Sequence, residues 1–175
     1  MTIQNFINKK IIIFVLSVLS LYAGDYEKGL EAINIQEYSS AYGLWEPLAK
    51  SGDAKSQNAI ATIFAHGLGT SKDYDKALFW YKKSANQGYV SAEYSLGMMY
   101  AKGLGTKRDY LKARYWLEKS AAKNDSSSLY NLAVFYCEEL GVSKDLYKCA
   151  ILAKKAKENG YDISKFWNHF ELDKF

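Results

Sequence analysis

An all-α solenoid of stacked antiparallel helix pairs is the fold class this sequence predicts, and three observations predict it. A 36-residue unit is written almost twice between Asn58 and Asn124, so that Gly67, Gly69, Thr70, Asp73, Tyr74, Ala77, Trp80 and Ala85 recur as Gly103, Gly105, Thr106, Asp109, Tyr110, Ala113, Trp116 and Ala121. A fixed period of about 20 to 50 residues marks an array whose units bury their apolar faces only against neighbours. Within each unit the apolar residues fall at helical spacing, and the chain holds one proline, Pro47, and no alternating β-branched runs.

The chain opens on a stretch predicted to lie outside the fold. Lys9 and Lys10 precede an apolar run from Ile11 to Leu21, broken only by two serines, and the small residues Ala23 and Gly24 follow. That order reads as a secretory signal peptide over residues 1–23, cleaved near Ala23, and predicts a periplasmic or secreted bacterial product. The apolar run falls short of the ~20 residues a bilayer core requires. An uncleaved tether is therefore the second reading, and the one membrane contact the sequence suggests. Without residues 1–23 there remain 21 basic and 19 acidic residues, a balance that predicts no nucleic-acid partner. About 150 residues are enough for one sizeable core.

Residues 24–53 are predicted to be an N-terminal capping helix pair. Tyr26, Leu30, Ile33 and Ile35 form one helical stripe, and Tyr38, Ala41, Leu44, Leu48 and Ala49 form the next. Tyr38, Ala41, Ala49 and Gly52 precede Tyr74, Ala77, Ala85 and Gly88 by one period, yet the glycine loop is missing, as suits a terminal unit. Pro47 is expected to bend or unwind the second helix.

Three units follow, at 54–89, 90–125 and 126–161. In the first helix of the two regular units, Ile60, Ile63 and Phe64, then Leu96, Met99 and Tyr100, face one way, while Ala61 and Gly97 let a neighbour approach. Gly67 and Gly103 stop that helix, and Asp73 and Asp109 sit where an N-cap belongs. The second helix turns Tyr74, Ala77, Leu78, Trp80 and Tyr81 toward the core.

The string carried by Ala92, Leu96, Gly97, Tyr100, Gly103, Gly105, Asp109, Tyr110, Lys112, Ala113, Trp116 and Ala121, and by their partners one period earlier, resembles the Sel-one-like repeat (SLR), a relative of the tetratricopeptide repeat. The resemblance covers roughly residues 54–161. It implies a right-handed superhelix of helix pairs acting as a scaffold or adaptor for other proteins. For a chain with an export signal, it implies another envelope protein or peptide as partner, or peptidoglycan fragments within a larger complex. It implies a rival as well: cysteine-rich secreted members are associated with penicillin binding and weak β-lactamase activity. Those members hold a cysteine pair in every repeat, whereas this chain has two cysteines in all.

The third unit keeps Leu132, Ala133, Tyr136, Gly141, Asp145 and Gly160 in register but has Glu139 in place of the first loop glycine, Leu146 for the tyrosine and Leu152 for the tryptophan. Cys137 and Cys149 replace Ala65 and Ala77 of the first unit, positions that mark close contact between paired helices. They form either a disulfide stapling the last hairpin, favoured in an oxidising compartment, or two buried thiols filling alanine sites. Ile163, Phe166, Trp167 and Phe170 then predict a capping helix over Asp162–Leu172, within a C-terminal cap of residues 162–175.

No catalytic constellation stands out. Ser120 to Lys123 spells S-x-x-K, but the S-D-N and K-T-G companions are absent and the repeat phase puts Ser120 in the last turn of a helix. Gly67 to Thr70 follows a helix rather than a strand, so it reads as a turn, not a phosphate loop. His66 and His169, the two histidines, have no ligand spacing for a metal. No cofactor is expected. The predicted binding surface is the concave face of the first helices, at the positions the repeat pattern leaves free: Lys55, Ala59, Thr62 and His66; Ser91, Ser95, Met98 and Lys102; Ser127, Asn131, Val134 and Glu138.

Overall fold

The computed structural model describes residues 24–174. Its elements are α1 (residues 24–34), α2 (Tyr38–Ser51), α3 (Ala54–His66), α4 (Tyr74–Asn86), α5 (Val90–Lys102), α6 (Tyr110–Ala121), α7 (Ser126–Cys137), α8 (Leu146–Glu158), α9 (Ser164–His169) and a short 3-10 turn, η1 (Leu172–Lys174). From α2 to α8 each helix packs on the next, and the described residues contain no strand. This is the predicted α-solenoid, with α3, α5 and α7 as one layer and α4, α6 and α8 as the other. The expected signal segment lies outside the described residues.

Side-chain caps set where the helices begin. Asp73, Asp109 and Asp145 accept hydrogen bonds from the backbone N–H groups of Lys76, Lys112 and Lys148 at 2.9, 3.0 and 2.8 Å, starting α4, α6 and α8. Asp53 and Asp125 do the same for α3 and α7 through Ser56 and Ser128. Each cap satisfies an amide that the first turn leaves without a helical partner, and contributes about 1 kcal/mol.

The second loop glycine fixes how one unit sits on the one before. An added Cβ on Gly69 would lie 2.7 Å from Cβ of Tyr38; on Gly105, 2.4 Å from the carbonyl oxygen of Tyr74; on Gly141, 2.6 Å from Cβ of Tyr110. Each loop therefore rests on the first residue of the second helix in the preceding unit, and no side chain fits between. All three glycines also have φ between 62° and 66°, in the left-handed region. Within units, Gly97 plays the predicted close-approach role, its missing Cβ leaving room for Leu117, which is fully buried.

The opening pair departs from expectation in its facing. Leu30 and Ile35 are exposed, and α1 instead turns Tyr26, Gly29, Ala32 and Ile33 inward. The reason is Trp45, missed by the sequence reading. Its ring occupies the space beside Gly29, stacks on Tyr26 at 5.7 Å and donates its indole N–H to the Tyr26 carbonyl at 3.1 Å. Helix α2 runs unbroken through Pro47. The carbonyl deprived of its partner belongs to Gly43, which is exposed and can be hydrated.

The last unit shows how the pattern drifts without failing. Glu139 takes φ 58°, the left-handed conformation that Gly67 and Gly103 adopt at the same position. Cys137 and Cys149 are bonded, with Cα atoms 5.6 Å apart and both residues buried. The cap helix is shorter than predicted: α9 spans Ser164–His169, and Glu171 at φ 50° ends the helical path before η1. Asp162 stands ahead of it, accepting from the Ser164 amide at 3.0 Å, while Ile163, Phe166 and Leu172 are buried.

Three stability outcomes follow. Gly105→Ala should cost about 2–4 kcal/mol in urea unfolding, from left-handed strain plus collision with backbone. Gly43→Ala, exposed in α2 with nothing near its absent Cβ, should be neutral or stabilise by up to about 1 kcal/mol. Reduction of Cys137–Cys149 should remove about 3 kcal/mol, read as a lower melting temperature with reductant.

A hydroxyl-lined groove as the candidate functional site

The helix period spaces the pattern-free positions of α3, α5 and α7 one turn apart, and the stack sets corresponding positions side by side. Lys55, His66, Ser91, Lys102 and Glu138 are exposed; Thr62, Ser95, Met98, Ser127, Asn131 and Val134 are half-buried. Ala59 is the exception. It is buried in the core, because that turn of α3 faces its neighbours and only a small side chain fits.

His66, Ser95, Met98 and Lys102 come together in one recess of about 320 Å³ between α3 and α5. Tyr81 and Tyr94 form part of its wall. The Tyr81 hydroxyl, from α4, is hydrogen-bonded to Thr62 of α3 at 3.0 Å and faces the Ser95 hydroxyl of α5. One phenol thus joins the first unit to the second. Tyr94 faces Asn131 of α7, carrying the polar line onward, and Asn131 donates to the Ser127 carbonyl at 2.8 Å. A wider, shallower hollow of about 750 Å³ at the entry to α8, lined by Arg114, Tyr136 and Lys148 among others, gathers none of the predicted positions.

Neither tyrosine was picked out as a groove residue from sequence. Its spacing predicts a core role for Tyr81, and the residue is almost fully buried, with only its hydroxyl reaching the polar line. Burial raises the Tyr81 pKa above the usual tyrosine value, against the opposing effect of Thr62 and Ser95. Desolvation raises that of Tyr94 in the same way, followed by the nearby Tyr161 and Asp125. A phenol held neutral in this manner both donates and accepts at ordinary pH.

The S-x-x-K serine is structural. Ser120 is fully buried and donates to the Val90 carbonyl at 3.3 Å, as Ser84 donates to Ala54 one unit earlier at 2.7 Å. Lys123 is held by buried Glu93 at 2.8 Å and by the Gly88 carbonyl at 2.7 Å. Gln87 makes the same clasp in neutral form, donating to Gln57 at 2.8 Å and to the Gly52 carbonyl at 2.9 Å. Both halves of S-x-x-K thus tie a second helix to its own first helix. The Gly67–Thr70 segment turns between α3 and α4, and no set of three metal-ligating side chains gathers among the described residues.

Comparison with known proteins bears on the same elements. The Sel1 repeat family model matches residues 54–89, 90–125 and 126–161. Human "Protein sel-1 homolog 2" is 40% identical over 47 residues, 27% of this chain and 7% of that protein. The mouse protein of that name is 38% identical over 50 residues, 29% of this chain and 7% of its own length. This chain therefore spans a small fraction of those curated relatives. Among solved structures, a Sel1 repeat protein from Oxalobacter formigenes superposes with a TM-score of 0.72 at 27% identity, over 77% of this chain and 56% of that one. The c5321 protective antigen of uropathogenic Escherichia coli strains, described as displaying an SLR fold, gives 0.76 at 26% identity, over 82% and 32%.

The Tyr81 environment predicts a pH dependence. Its folded pKa is raised above the unfolded value of 10.0, so the folded state holds the proton more firmly. The associated stability is complete below about pH 10 and is lost as pH rises through the folded value. Urea unfolding followed across that range should show a falling midpoint, and Tyr81→Phe, which cannot ionise, should flatten the fall.

Proposed function

Because the chain belongs to the Sel1 repeat family, we propose that it is a scaffold or adaptor that binds another protein, through an extended segment laid along the groove of α3, α5 and α7. The observation that carries this is the convergence of His66, Ser95, Met98 and Lys102 in one recess beside Tyr81 and Tyr94. Those four positions are among the twelve that the repeat pattern leaves free, so they can be matched to a partner while the glycines and alanines that form the stack stay as they are. Hydroxyls and an amide in a line suit the alternating donors and acceptors of an extended backbone, Met98 supplies an adaptable apolar contact, and the ends differ in charge, Lys102 against Glu138.

The cell envelope is the proposed setting, and the partner another envelope protein or peptide. Two features support it: the predicted export segment over residues 1–23, and the Cys137–Cys149 bond, which persists where thiols are oxidised. The known structures it resembles include a protective antigen, which fits an exported location. The proposal assigns the chain no catalysis of its own.

Crosslinking capture from native envelopes, with wild type beside Ser95→Arg and Met98→Glu, tests the reading. Both side chains project into the recess, and each change should reduce recovery of a specific partner by about tenfold or more while leaving the melting temperature within a few degrees. A partner retained equally by wild type and both variants would place binding elsewhere.

A further inference from the structure

The outer layer carries a second pattern, unconnected with the groove. Phe79, Tyr115 and Ile151 occupy one position in three successive units, on α4, α6 and α8, and all three are about half exposed, at 52%, 52% and 48%. One helical turn further along each helix stands a lysine: Lys83, Lys119 and Lys155, all exposed. Leu111 and Tyr147, one turn earlier on α6 and α8, are each 63% exposed and extend the apolar strip. The ammonium of Lys83 lies 4.7 Å from the Phe79 ring and 5.2 Å from Trp80, and that of Lys119 lies 4.9 Å from Tyr115 and 4.8 Å from Trp116. None of these five side chains belongs to the packed core, although Phe79 and Tyr115 stand edge-on to Trp80 and Trp116, each pair at 5.1 Å.

Charge is equally one-sided. Helices α4, α6 and α8 hold ten lysine or arginine residues against three acidic ones, and two of the ten, Lys76 and Lys112, are paired with the cap aspartates Asp73 and Asp109, although residues 24–175 as a whole are nearly balanced. From this we infer that the outer face docks on the surface of an anionic lipid bilayer, with Phe79, Tyr115 and Ile151 entering the headgroup boundary and Lys83, Lys119 and Lys155 meeting lipid phosphates. The composition selects that occupant over others. A second copy of this face would be repelled by its own charge. Nucleic acid would leave Leu111 and Ile151 without a role, since aliphatic side chains give bases no stacking surface. A folded protein partner is disfavoured because nine of the ten cations are lysine, the residue depleted at protein interfaces. Mobile lysines beside aromatic and aliphatic side chains are what a fluid anionic interface accommodates.

Sedimentation of the full chain with vesicles of phosphatidylcholine, with and without phosphatidylglycerol, tests the inference. Two triple variants accompany wild type: Lys83→Gln, Lys119→Gln, Lys155→Gln, and Phe79→Ser, Tyr115→Ser, Ile151→Ser. Residues 1–23 are identical in all three, so any partitioning they cause is common to them. Wild type should favour the phosphatidylglycerol vesicles, and each variant should lose at least about tenfold of that preference, the lysine variant also losing its salt sensitivity. All six side chains are exposed, so unchanged melting curves establish that folding is intact. Equal binding by wild type and both variants, or wild-type retention on double-stranded DNA or an acidic protein with none on phosphatidylglycerol vesicles, would overturn the inference. Partner capture by the groove is unaffected by either result.

Discussion

A glycine pressed against the first residue of an earlier helix holds the array in register. Gly69, Gly105 and Gly141 each sit where a single added carbon would meet the first residue of an earlier helix. Hydrophobic burial supplies most of the driving force for stacking, but it is non-directional and would tolerate many offsets between helix pairs. The contact at the loop does not. It closes at one offset only, so apolar packing of Ile60, Leu96 and Leu132 is realised in one geometry, and the aspartate caps that follow each loop start the next helix from a fixed point.

Much of this architecture was legible because repetition writes the same physical requirement more than once. Gly97, Asp73, Asp109 and the paired cysteines were recognisable by comparing one unit with another. The opening pair is less legible because it has no second copy to compare, and the apolar stripe through Leu30 and Ile35 gives no sign that Trp45 claims the space beside Gly29 and turns that stripe outward. The end of the chain was misread for a related reason: periodicity continues through Phe170, but the left-handed turn at Glu171 has no signature in apolar spacing. In the groove, spacing located Ser95, Met98 and Lys102 while hiding Tyr81, whose buried ring obeys the core pattern and whose hydroxyl does not. Ala59 went the other way, free of pattern yet buried because the turn admits only a small side chain.

The two clasps show how chemistry varies where geometry is held. Gln87 with Gln57, and Lys123 with Glu93, join the same helix positions and reach the same kind of carbonyl, once with neutral groups and once with an ion pair. A buried carboxylate such as Glu93 is costly alone, so its partner is obligatory, whereas a glutamine pair carries no such dependence. The second unit is therefore more sensitive to loss of one side chain than the first. The third unit, with Leu129 and Asn159 at these positions, has neither clasp and is held by a covalent bond instead.

The recurrence of one glycine-to-helix contact at a constant separation of 31 residues bears on the length of the molecule. A unit of 36 residues inserted in phase would present its glycine to the tyrosine behind it and its own tyrosine to the glycine ahead, leaving both flanking junctions as they are. Duplication is thus sterically free in this chain, while a change of a few residues in any one loop is not. The array can therefore be lengthened by whole helix pairs, and its span is set by copy number rather than by the chemistry of any single repeat.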